Sequence, residues 1–143
     1  LSAAQTVTRH FLSFLASSVN PVLLVVFAVC VVAKLPTRNG AVAFLVRSGT
    51  ALMATYLLAH LNRWMHLWKN HGSFPSGHMT FYLAVATSFF LLDRRSALTT
   101  VPLAFFYGWL VVFLDFHTWT DVWGSLLFAI PLTLLCHWKK LRT

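Results

Sequence analysis

Acid is almost missing from this chain. Three aspartates (Asp93, Asp115 and Asp121) are its only carboxylate side chains, against eleven lysines and arginines in 143 residues. Charge of either sign makes up 10% of the residues, where a soluble domain carries about 25%. That excludes an ordinary soluble globule. Disorder is excluded as well, because 58% of the residues are hydrophobic and cannot stay solvated in an open chain. Two cysteines, Cys30 and Cys136, are too few for a disulfide framework and read as buried thiols inside apolar runs. Repeats, low-complexity tracts and linkers long enough to divide domains are absent, so residues 1–143 read as one domain. The shortage of carboxylates also leaves no pair to hold Mg²⁺.

What the chain has instead is long hydrophobic runs. Residues 20–34, 41–61, 76–92, 99–115 and 119–137 come near the roughly 17–25 residues that cross a bilayer core, the first being the shortest. The expected fold class is all-α, a polytopic membrane helix bundle of about five spans plus an N-terminal interfacial helix. That extra helix covers residues 3–18, with Val7, Phe11, Phe14 and Leu15 toward lipid. Pro21 is expected to break it from the first span; the alternative is that it lengthens that span. The chain opens on Leu1, so a signal segment or further span upstream stays compatible with the sequence.

The basic residues sit at the ends of these runs. Lys34 and Arg38 follow the first, Arg94 and Arg95 the third, and Lys139, Lys140 and Arg142 the fifth. All seven ends fall on one side, which the positive-inside rule assigns to the cytoplasm. The other side receives Arg63 and Lys69, plus Arg9 if the N-terminus lies there. Trp64, Trp68 and Trp119 fall at the level of an outer aromatic belt, and Trp138 at the inner one. The expectation is a multi-pass protein of an inner or plasma membrane, with loop 62–75 and turn 116–118 facing outward together. Membrane lipids are its surroundings, and the dispersed basic charge argues against nucleic acid. Arg47 is expected to snorkel to the inner surface or to pair with Asp93.

This orientation gathers His60, His66, His71, His78 and His117 on the outer side with Asp115 and Asp121. Ionisable groups at membrane depth are functional candidates by default. His60 and His66 read equally well as belt residues, and His71 as a possible ligand contact. Two stretches are more specific. In HGSFPSGHMTF, Pro75 precedes a helix that Ser76 can cap, and Gly77 admits a close ligand. The first amides of that helix face outward without helical partners and favour an anion, and His78 is placed to give it a proton. In FLDFHTWTDVWGS, His117 and Asp121 are four apart and share a face if the helix begins at His117. A carboxylate on one imidazole nitrogen leaves the other as a nucleophile or base. Asp115 either tunes that imidazole or caps the turn.

Pro75-Ser76-Gly77-His78, followed one helical hairpin later by His117, Asp121, Val122 and Gly124, resembles the type 2 phosphatidic acid phosphatase superfamily of membrane lipid phosphatases and phosphotransferases. The resemblance covers roughly residues 41–137. It implies a lipid phosphate as substrate and a reaction through a phospho-histidine that needs no metal and no cofactor. On that pattern His117 is the nucleophile, Asp121 holds and stabilises its ring, and His78 protonates the leaving oxygen. Ser76, Gly77 and His78 supply amides to the phosphate oxygens. The family's cationic clamp departs from the pattern. Its first motif, a lysine, six residues and Arg-Pro, is reduced here to Arg63, five residues and Lys69. The arginine expected before the third motif is replaced, with Leu110 and Val111 at those positions. Lys69 or Arg63 is therefore expected to bind the phosphate in its place. The depleted clamp is similar to that of the sphingomyelin-synthase-like branch, which transfers a phosphodiester headgroup. Two readings from other classes stand beside these: an inactive scaffold or transporter, and a His-rich metal oxidase. The histidine gaps do not follow the HxxxH and HxxHH patterns the latter needs.

Overall fold

A computed structural model of the chain describes residues 3–65 and 74–138. Regular structure within them is wholly helical: α1 (Ala3–Lys34), α2 (Arg38–Met65), α3 (Gly77–Leu92), a 3-10 turn (Arg94–Ser96), α4 (Ala97–Phe113) and α5 (Trp119–Cys136). Val7–Lys34, Arg38–Asn62, Arg94–Phe113 and Trp119–Cys136 are long and apolar enough to cross a membrane. The protein is an all-α, polytopic membrane bundle.

The shortest of the five, α3, is its axis. Sixteen residues give it a length of about 24 Å, less than the ~30 Å hydrocarbon core. It packs against all four other helices. Its apolar residues run right round the helix rather than down one stripe, the pattern of a buried element. Tyr82 and Tyr107, both fully enclosed, find partners for their hydroxyls in the backbone: Tyr82 donates to Thr100 O at 2.8 Å and Tyr107 to Ala16 O at 3.0 Å. A buried phenol needs such an acceptor. Here the two bonds tie α3 to α4 and α4 to α1.

The expected interfacial helix is not a separate element. Residues 3–18 run on through Pro21 into the first span as one 32-residue helix. Proline removes one donor and crowds the carbonyl four residues back, but neighbouring helices make that tolerable at membrane depth. Leu12, Ala16, Val19 and Leu23 pack on the core of α3–α5 from both sides of the proline. A break there would forfeit that contact.

At the end of the bundle away from the start of α3, Lys34 bonds the Asp93 carboxylate, and Asp93 also accepts from the Arg95 amide at 3.0 Å. Asp93 thus joins the end of α1 to the turn between α3 and α4. Of the two expectations for Arg47, the pairing with Asp93 is the one this overturns; Arg47 lies beside Leu135, Cys136 and Trp138. Reach decides it, since Lys34 ends the helix at the level of Asp93. Cys30 and Cys136 are free and half-buried. Hydrogen bonds from Lys34 and the Arg95 amide hold the Asp93 carboxyl below its ordinary value of 3.8. A depressed folded pKa contributes stability above the unfolded value, lost as pH falls through the folded one. Asp93→Asn should therefore lower the melting temperature at neutral pH, and the gap to wild type should close below pH 3.8. A gap independent of pH would show that the Asp93 charge is not what holds this corner.

Candidate active site

Two helix starts and one helix stop assemble the site. Ser76 caps α3, its hydroxyl accepting from the Met79 amide at 3.3 Å. Thr80 N donates to Ser76 O at 2.8 Å. The amides of Gly77 and His78 lie ahead of the first intrahelical donors, at the positive end of the helix. The Ser76 cap stands as the sequence predicts.

The end of α4 is closed by a Schellman turn. Phe116 N donates to Val111 O and Asp115 N to Val112 O, both at 3.0 Å, with Asp115 in the left-handed region at φ 59°. Aspartate tolerates that conformation better than most side chains. Its carboxylate points outward and meets Arg9 of α1 at 3.2 Å. Of the two roles open to Asp115, the turn is the one it fills; it does not face the imidazole of His117.

Immediately beyond, α5 opens with a capping box. Thr118 Oγ1 accepts from the Asp121 amide, and Asp121 Oδ2 accepts from Thr118 N at 2.8 Å and from Thr118 Oγ1 at 2.9 Å. The helix therefore begins at Trp119 and not at His117. His117 sits in the link, between a closed turn on one side and a capped helix on the other. Its side chain is 6% exposed and that of Asp121 3%.

These frames bring the two histidines together. His78 Nδ1 lies 3.3 Å from His117 Nε2, with the ring centroids 5.5 Å apart. Phe116 stacks on the His78 ring at a centroid distance of 5.8 Å. On the other edge of His117, Nδ1 lies 3.9 Å from Asp121 Oδ2. Asp121 Oδ1 is buried with no hydrogen-bond partner among the described residues. Oδ2 thus serves both the cap and the imidazole edge of His117, while Oδ1 makes no hydrogen bond within the described residues.

The two motif segments are also bonded to each other. Ser76 N donates to Asp121 O at 3.0 Å, and the Ser125 hydroxyl lies 3.1 Å from Ser76 O and 2.9 Å from Asp121 O. Asn62 of α2 donates to Phe74 O. Asn20 of α1 donates to His78 O at 3.1 Å. Of the other candidates, Arg63 stands on the last turns of α2, but its side chain lies outside the described residues, as do Lys69, His66 and His71 entirely. His60 is exposed. Among the described residues no group of three His, Cys, Asp or Glu could hold a metal ion.

Residues 22–142 match the PAP2 superfamily. The chain belongs to that superfamily. It is a membrane protein of PAP2 type, and both histidine motifs lie within the matched range. Searches among curated proteins and among solved structures returned no match. Within the PAP2 frame, the residues that sequence reasoning missed are Asn20, Asn62, Thr118 and Ser125. Thr118-x-x-Asp121 carried a readable signal, the pattern of a capping box. A lone asparagine in an apolar run, as at Asn20 and Asn62, was a second. Ser125 carried none, since its partners are defined only once α3 and α5 pack.

Proposed function

We propose that this PAP2 protein removes or transfers the phosphate or phospho-headgroup of a membrane lipid through a covalent phospho-histidine at His117. The observation that carries the reading is the contact between His78 Nδ1 and His117 Nε2 at 3.3 Å, with Asp121 on the far nitrogen of His117. A proton on Nδ1 of His117, facing the carboxylate, leaves Nε2 bare and nucleophilic. Nε2 then accepts from His78 Nδ1–H in the resting state.

The 3.3 Å contact fills the space that phosphorus needs, so binding the donor parts the two rings. Nε2 of His117 attacks phosphorus as the bond to the leaving oxygen breaks. That oxygen takes its proton from His78, and the imidazolium of His117 is balanced by Asp121. In the second step His78 accepts a proton from water or an alcohol, whose oxygen displaces Nε2 from phosphorus. Amides at the start of α3 meet the non-bridging oxygens, where negative charge grows. Lys69 or Arg63 supplies the full counter-charge that a buried phosphate monoester requires. A phosphodiester donor carries one charge fewer and needs that clamp less, which keeps a headgroup transferase as the second reading.

The deciding experiment offers the purified protein ³²P-labelled monoester and diester lipids, with and without alcohol acceptors. Acid-labile, base-stable label on the protein, released as phosphate or as a new ester, is the expected result. Turnover without labelled histidine would overturn the covalent mechanism.

The site is proposed to open away from the cytoplasm, because Lys34, Arg38, Arg94 and Arg95 lie at the opposite ends of the helices from the starts of α3 and α5. In a background with Cys30 and Cys136 replaced by Ala, Met65→Cys should react with impermeant maleimide added to intact cells. Arg94→Cys should react only after lysis. The reverse pattern would invert the topology.

A further inference from the structure

A cavity of about 410 Å³ lies between α3, α4 and α5. Its walls are three stripes at helical spacing, and almost nothing polar faces it. Met79, Trp119 and Val122 line its outer end. These residues are chain neighbours of His78, Thr118 and Asp121, so the cavity begins where the candidate phosphate site ends. Phe90 and Ala97 line its inner end. Small side chains along the way, Ala86, Ala104 and Gly108, create the room. Phe105 and Trp123 stand at its lips and are more than half exposed. Between them α4 and α5 meet only sparsely, so the cavity opens along the α4–α5 seam on the side of the bundle.

We infer that this groove holds one hydrocarbon tail of the lipid whose phosphate meets His78 and His117. Length argues for that occupant. From Met79 to Phe90 the groove follows eleven helical rises, about 16 Å. One leaflet is half of a ~30 Å hydrocarbon core, so an ordinary acyl tail reaches about 15 Å. A tail in the groove therefore ends near Phe90 when its headgroup stands at the start of α3. The substrate class is an acyl-chain lipid phosphate, with any second tail left against the exposed lips in the bilayer. Surrounding lipid is as apolar as the groove, so the groove contributes register more than affinity. It sets the depth of the phosphorus against His117 Nε2.

The inference rests on the proposed phosphotransfer, and its test separates the two. Wild-type protein is irradiated with an acyl phosphate lipid carrying a diazirine at the tail terminus. Label is expected within residues 86–101, where α3 ends and α4 begins. Label spread over α1 and α2, or evenly over the lipid face, would overturn the groove whether or not any phosphate is released. The kinetic arm compares long-chain and short-chain alkyl phosphates in the same micelles. Ala104→Trp should lower the ratio of their kcat/KM values about tenfold, and Leu103→Trp, outside the groove, should leave the ratio unchanged. An unchanged ratio in Ala104→Trp refutes the groove. Failure of wild-type protein to act on any phosphate ester refutes the phosphotransfer while the photolabel still reports on the groove. Phe105→Cys that crosslinks to a second copy in native membranes would make the seam a docking face between chains and overturn the inference.

Discussion

His117→Ala should lower kcat by at least about a thousandfold, since no other group can take over a covalent role. The fold should survive. The link that carries His117 is held by backbone bonds from Phe116 N to Val111 O and by the Thr118–Asp121 box, none of which uses the imidazole. His78→Ala should behave differently. A proton donor matters least when the leaving group is already stable as an anion. With a nitrophenyl ester the covalent species should still form, slowly, and accumulate because its release lacks a base. Rapid-quench measurement of protein-bound label separates the two variants. Near-normal turnover in His117→Ala would sink the nucleophile assignment.

Gly124→Ala is the smallest change with a large expected effect. A Cβ there would collide with Cε2 and Cζ of the Phe74 ring. No side chain tolerates such an approach, so the Phe74 ring has to move. Phe128 packs edge-on against that ring at a centroid distance of 6.0 Å, and Asn62 holds the Phe74 carbonyl. Displacement therefore passes along the chain to Pro75 and the Ser76 cap. Overpacking of this kind costs about 1–3 kcal/mol of stability. Activity should fall further than stability, by about a hundredfold, because sub-ångström placement at the helix start governs the reaction. Phe74→Leu in the Gly124→Ala background should recover much of the loss, and a double-mutant cycle measures the coupling. Full activity in Gly124→Ala alone would show that the Phe74 contact does not position the site.

The spans and the first helix start were legible in the sequence because they depend on local chemistry. Apolar runs of membrane length and a Pro-Ser step before one of them need no tertiary partner to be read. The His117–Asp121 spacing was legible too, but its geometry was misread. A four-residue gap suggests one helical face, whereas Thr118 captures the helix start and leaves His117 outside it. Pro21 misled for a related reason: its local penalty is real, and packing of Ala16 and Leu23 on either side outweighs it. The contacts that join the two motifs were illegible. Ser125 to Ser76 spans 49 residues and Asn20 to His78 spans 58, and no periodicity in one helix reports on a partner that distant.

The reach of α1 also bears on where this domain is drawn. Family similarity begins at residue 22, yet Arg9, Ala16 and Asn20 come earlier. Between them they hold the Asp115 turn, the Tyr107 hydroxyl and the His78 carbonyl. A chain trimmed to the shared region would keep every motif residue. It would also expose an unpaired phenol and strip a donor from the helix start that carries His78. The border of common ancestry and the border of these supporting contacts do not coincide here, and residues 9–21 lie between them.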